Sequence, residues 1–123
     1  MVDTKKDKLV QILKKLKSSG DIEGAAVITR DGLLIASDLS GGINGDTFAA
    51  MSATMSGAAE TAVQELGKSS PERIIVESEN TKLITVGAGS QAILACIVAP
   101  DAKLGLILIE MGKAAVSVEK EVK

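Results

Sequence analysis

The runs 25–29 (Ala-Ala-Val-Ile-Thr) and 33–37 (Leu-Leu-Ile-Ala-Ser) are separated by Arg30-Asp31-Gly32. Asp-Gly between hydrophobic runs signals a hairpin, because glycine, and aspartate more readily than most residues, tolerates the positive φ of a tight turn. Neither run alternates apolar with polar residues. Val27-Ile28 and Leu33-Leu34-Ile35 offer side chains to both faces of the pleat, so both faces of the sheet have to be covered. A chain with such a hairpin is limited to folds that place helices on two sides of one sheet.

Three segments supply those helices. Residues 4–18 set Leu9, Ile12, Leu13 and Leu16 on one stripe, with Thr4 and Asp7 as a weak form of the capping box and Gly20 as the stop. Lys5, Lys6, Lys8, Lys14, Lys15 and Lys17 spread over the remaining surface. They read as a solvated face, a membrane or nucleic-acid patch being the other option for a basic amphipathic helix. The loop 38–44, with Gly41 and Gly42, leads into the second helix, 46–66. Asp46 is its N-cap or first-turn acid and Gly67 its stop. Projected at about 100° per residue, Phe48, Met51, Met55, Ala58, Ala59, Ala62, Val63 and Leu66 share a face expected to cover a core. The reverse face holds Ala49, Ala50, Ala53 and Gly57, and no charge occurs between Asp46 and Glu60. A helix uncharged on both faces is expected to be covered on both. Residues 103–122 place Leu104, Ile107, Leu108, Met111, Ala115, Val118 and Val122 at helical spacing, with an irregularity expected at Gly112.

The strands are expected at 24–30 and 33–38, then, after Pro71, at 73–79, 82–87 and 91–99. The last three are separated by Glu79-Asn80-Thr81 and Ala88-Gly89-Ser90, which leaves no room for crossover helices and implies an antiparallel meander. Glu77 and Glu79 read as one solvated edge. The expected fold class is therefore α+β in the order α-β-β-α-β-β-β-α, as a single domain over residues 1–123.

The composition removes several chemistries. The chain has no His, which takes away the commonest general base and metal ligand. Ser37, Ser40, Ser52 and Ser56 then have no His to activate them, and no His/Cys/Asp cluster has metal spacing. No catalytic residue, metal or cofactor is expected. A net charge of −2 and a single aromatic residue, Phe48, argue against a nucleic-acid partner. Cys96 stands alone in an apolar run and reads as a small core residue; with no signal peptide, the expected location is a reducing cytoplasm. The uncharged stretch 83–100 is long enough to be weighed as a membrane span, but Thr85, Gly87, Gly89, Ser90 and Gln91 at its centre read as two strands and a turn.

One stretch resembles a cofactor motif. Gly87-Ala88-Gly89-Ser90-Gln91-Ala92 matches G-x-G-x-x-A, and Glu110 stands 23 residues after Gly87, where a ribose-binding acid would lie. Such a site needs a helix directly after the glycines. Pro100 would end that helix after about two turns, and a hairpin turn accounts for the same glycines. Nucleotide binding through Gly87 and Gly89 is kept as the alternative function.

Taken together, several segments resemble the roadblock domain over about residues 22–122. They are the hairpin with Gly24, Arg30-Asp31-Gly32 and Ala36-Ser37, the small-residue central helix, the three-strand meander, and Lys103-Leu104-Gly105-Leu106 before the last helix. The resemblance implies a five-stranded antiparallel sheet with the second helix on one face and the first and third on the other, a roadblock/longin-like, profilin-like sandwich. It also implies a homodimer through the second helix and third strand, so that the uncharged Ala49, Ala50, Ala53 and Gly57, with Glu60, Gln64 and Ile75, are the expected interface. Roadblock proteins include dynein light chains, endosomal scaffold subunits and prokaryotic regulators of small GTPases. The implied function is a non-enzymatic adaptor that binds and modulates a small Ras-like GTPase, with Arg30, Asp31, Gly41, Gly42 and Asn44 as candidate contacts. A purely structural dimerisation module is the weaker alternative. Arg30 and Arg73 are the only arginines. Since Arg30 sits on a turn, repositioning of the partner's switch segments is expected rather than an arginine finger.

Overall fold

The computed structural model describes residues 4–123. The elements are α1 (Lys5–Lys17), β1 (Ile22–Thr29), β2 (Leu34–Asp38), α2 (Gly45–Glu65), β3 (Arg73–Glu77), β4 (Lys82–Ala88), β5 (Ala92–Val98) and α3 (Leu104–Val122). All five strands form one antiparallel sheet in the order β2-β1-β5-β4-β3. The α+β order is the expected one; some details differ. β1 starts at Ile22, because a register shift before Gly24 lets Ile22 pair with Val98. β3 stops at Glu77, where Ser78 turns back to bond Thr81. Asn44 caps α2, its side chain accepting from the Thr47 N–H at 3.0 Å, and Asp46 takes the other role open to it, the acid of the first turn. α3 runs through Gly112 unbroken.

The two faces of the sheet are covered very differently. On one, α1 and α3 press Leu9, Leu13, Leu16, Ile107, Met111 and Val118 onto Val27, Ile84, Leu94, Cys96 and Val98 in the larger core. On the other, α2 lies on a bed of Ala26, Ile28 and Ala95. Here the sequence-based expectation holds at Phe48, which packs against this bed, and fails at other positions. Ala49 and Ala53, placed on the outer face and at a dimer contact, are turned into the sheet with Ser52 and Ser56; Ala53 is only 8% exposed. Met51 and Leu66, expected in the core, are 59% and 72% exposed. The reason is steric. Over Ala26 and Ala95 a helix approaches most closely through its own smallest side chains, so Ala49 and Ala53 face inward there while Met51 and Leu66 are left outside.

Cys96 is fully buried, and that burial pushes its thiol up from 9.0 to about 12. Because the folded-state value is raised, the corresponding stability is intact below pH 9 and is lost as pH climbs from 9 towards 12, where only the unfolded thiol ionises. Native protein at neutral pH is expected to resist a disulfide reagent such as Ellman's until denaturant is added. Cys96→Ala is expected to flatten the alkaline decline in stability; rapid labelling of the native chain contradicts the burial.

Candidate partner-binding surface

The β1–β2 turn is built to aim one side chain. The Thr29 hydroxyl donates to Asp31 and accepts from the Leu33 N–H at 2.9 Å, and Gly32 closes the turn at φ +98. The bond from Thr29 holds the Asp31 carboxyl below its ordinary range. Gly32 also abuts α2: a β-carbon there would stand 3.3 Å from the Ala50 Cα. Arg30 leaves this turn and crosses to two other elements. Its Nη1 donates to Glu60 Oε1 of α2 at 2.9 Å, and its Nη2 to the Gly89 carbonyl at 2.8 Å. Both partners of the ion pair are about one-third exposed, so the pair adds less than about 1 kcal/mol and acts chiefly by fixing position. Arg30, expected on a mobile tip, is therefore held as a brace.

The glycines of the cofactor-like motif lie under two side chains, Arg30 and Glu119. A β-carbon at Gly87 would lie 2.8 Å from Arg30 Nη2, and one at Gly89, whose φ is +80, 2.7 Å from Glu119 Cγ. β5 begins directly after this turn. The helix N-terminus that a dinucleotide pyrophosphate needs does not follow these glycines, which corrects the alternative reading.

Between the second half of α2 and the β3–β4 part of the sheet lies a groove of about 200 Å³, with Ser56, Glu60, Pro71, Thr85 and both arginines on its walls. Glu60 and Gln64, expected at a dimer contact, are tied within the chain, Glu60 to Arg30 and Gln64 to Ser70 Oγ at 3.4 Å. Ile75 is half-buried against the core on the α1/α3 side. Its neighbour Val76 is exposed, and the outer edge of β3 pairs with no strand among the described residues. Gly41, Gly42 and Asn44 precede α2, about 22 Å along the helix from Glu60 at 1.5 Å per residue, and so stand apart from the Arg30 guanidinium that grips Glu60, while the turn that carries Asp31 and Gly32 lies nearer the start of α2, against Ala50. The outward line of α2 runs through Met51, Thr54, Gly57, Ala58 and Ala62, all exposed and none charged. Sequence reasoning found the uncharged character of this helix and placed Gly57 correctly on its outer side, but it put Ala49 and Ala53 there as well. Its usable signal was the smallness of Ala26 and Ala95, which specifies a small partner. Among the described residues no helix is long and apolar enough to cross a membrane.

A family model described as Roadblock/LC7 domain matches residues 8–98. Two uncharacterized proteins of Methanocaldococcus jannaschii are each 36% identical over 105 residues, covering 85% of this chain and 91% of theirs. Among solved structures, MglB of Myxococcus xanthus superposes with a TM-score of 0.88 at 20% identity, over 98% of this chain and 91% of that one. A structure described as MglB with tetrameric arrangement gives 0.87 at 20% identity, over 98% and 92%.

Proposed function

The chain belongs to the Roadblock/LC7 family, and from that premise we propose that it is a non-enzymatic homodimeric adaptor that binds and modulates a small Ras-like GTPase. One observation carries the dimer: the uncharged outer line of α2 lies on the same side of the sheet as exposed Val76, whose strand β3 has an open edge. A second copy related by a two-fold axis covers both at once, pairing β3 with β3 and laying α2 beside α2. The interface is then Met51, Gly57, Ala58 and Ala62 with the β3 edge, rather than Ala49 and Ala53. The MglB structure described as tetrameric supports self-association in this fold. The partner class comes from the family resemblance. The braced geometry of Arg30 favours repositioning of the GTPase's own switch segments over insertion of an arginine finger, since a finger requires a side chain able to reach the phosphates.

Light scattering is expected to give twice the 12.6 kDa chain mass; a single-chain mass at micromolar concentration refutes the dimer. A pull-down against the small GTPases of the source cell, each loaded with GDP or a GTP analogue, is expected to retain one in one nucleotide state. If none is retained, a dimerisation module is what remains. Arg30→Ala is expected to lower any stimulated hydrolysis by less than about tenfold, whereas a ~10³-fold loss assigns the finger to Arg30.

A further inference from the structure

The α1/α3 layer carries a charge opposite to that of the chain as a whole. α1, α3 and the flanking Lys103 and Lys123 hold ten of the chain's twelve lysines and only four of its sixteen acids, an excess of six positive charges on a chain of net −2. Apolar side chains stand among them. Leu106, Ile109 and Val116 are 55%, 58% and 54% exposed, on the outer line of α3 that also carries Lys113 and Lys120. Beside that line a groove of about 400 Å³ runs between α1 and α3, floored by Ile12, Leu16 and Ala114 and edged by Lys15 and by Lys113, the latter 4.0 Å from Glu110 on the same rim. It continues past Lys8, Lys120 and Glu121. Among the described residues Lys8, Lys15 and Lys120 form no ion pair.

We propose that this layer docks on an anionic lipid surface. Lysine ammoniums meet the headgroup phosphates, and Leu106, Ile109 and Val116 enter the boundary between headgroups and acyl chains. The choice of cation decides between a bilayer and an acidic protein. Protein interfaces are enriched in arginine and depleted in lysine, and both arginines lie elsewhere, on the β1–β2 turn and on β3. Lys17, Lys113 and Lys123 are paired with acids; the other seven lysines, with no arginine among them, form a set of hydrated point charges suited to diffuse attraction by many headgroups. The proposal stands whether or not α2 pairs with a second copy.

The test is co-sedimentation of the full chain with vesicles of phosphatidylcholine alone or with one-third phosphatidylglycerol, at low and at half-molar salt. Binding to the phosphatidylglycerol vesicles is expected to exceed that to neutral ones by at least about tenfold at low salt and to vanish at high salt. The triple variant Lys8→Glu, Lys15→Glu, Lys120→Glu is expected to bind about a hundredfold more weakly. Ile109→Ser, which leaves every charge in place, is expected to bind several-fold more weakly. Both variants should keep the wild-type light-scattering mass and circular dichroism, which separates this test from that of the dimer. Equal partition into the two vesicle types overturns the proposal. So does undiminished binding by the triple variant, or capture of an acidic protein by this face while vesicles stay unbound.

Discussion

Ala53→Lys is expected to unfold most of the chain, whereas Ala58→Lys, five residues further along the same helix, is expected to leave a folded monomer. Ala53 is 8% exposed, above Ala26, Ile28 and Ala95 and beside Gly32. A lysine there has no acid in that cluster to meet, and an uncompensated buried charge costs several kcal/mol. That is a large part of the roughly 5–15 kcal/mol that holds an ordinary domain together. Ala58 lies on the outer line of α2, where lysine is a good helix former and stays in water in a lone subunit. Its charge matters only when another copy covers it. Thermal melts and light scattering on the two variants check both statements. A folded, cooperative Ala53→Lys with nearly unchanged Tm contradicts the seating of α2, and a dimeric Ala58→Lys contradicts the proposed interface.

Leu13→Ala is expected to destabilise the chain by about 2–5 kcal/mol, the range for a fully buried leucine truncated in a core that relaxes only partly. Leu13 has no exposed surface and sits in the cluster with Leu9, Met111 and Val118. In a domain of this size that corresponds to a fall in Tm of roughly 10 °C or more. Ile12, on the same helix but partly exposed at the α1/α3 groove, is expected to lose much less on truncation. If the two variants melt together, α1 does not present the face described. Chemical denaturation followed by circular dichroism reads both.

These contrasts also show what the sequence could carry. The non-alternating hairpin residues specified a sheet covered on both sides, and Leu9, Leu13 and Leu16, like Ile107, Met111 and Val118, faced inward as their spacing required. α2 escaped the same reasoning because a helical projection weights bulk, and Met51 and Leu66 outweigh Ala49 and Ala53. Which face goes inward depends on the shape of the surface underneath, and that surface is assembled from β1 and β5, more than sixty residues apart. Arg30 was legible as a turn residue; its grip on Glu60 and Gly89 was not, since both partners lie thirty or more residues away. Gly87 and Gly89 illustrate the converse. Their pattern was visible, but its meaning was set by Arg30 and Glu119, and only the fold brings those side chains against them.

The bed beneath α2 has a mechanical consequence. Ala49 and Ala53 against Ala26 and Ala95 interlock little, and in that cluster only Ile28, Leu34 and Phe48 offer bulk to fix the axial position and roll of the helix. Two further contacts act as clips on this helix. Near its start, Gly45 sits so close to Leu34 that a β-carbon would stand 2.9 Å from Cδ2; in its second half, Arg30 grips Glu60. A rod clipped twice over a smooth track can be re-aimed by altering one clip, with the core under the opposite face of the sheet untouched. Such a chain is able to acquire a new partner angle through one or two substitutions at Gly45, Arg30 or Glu60, while its stability continues to reside on the far side of the sheet.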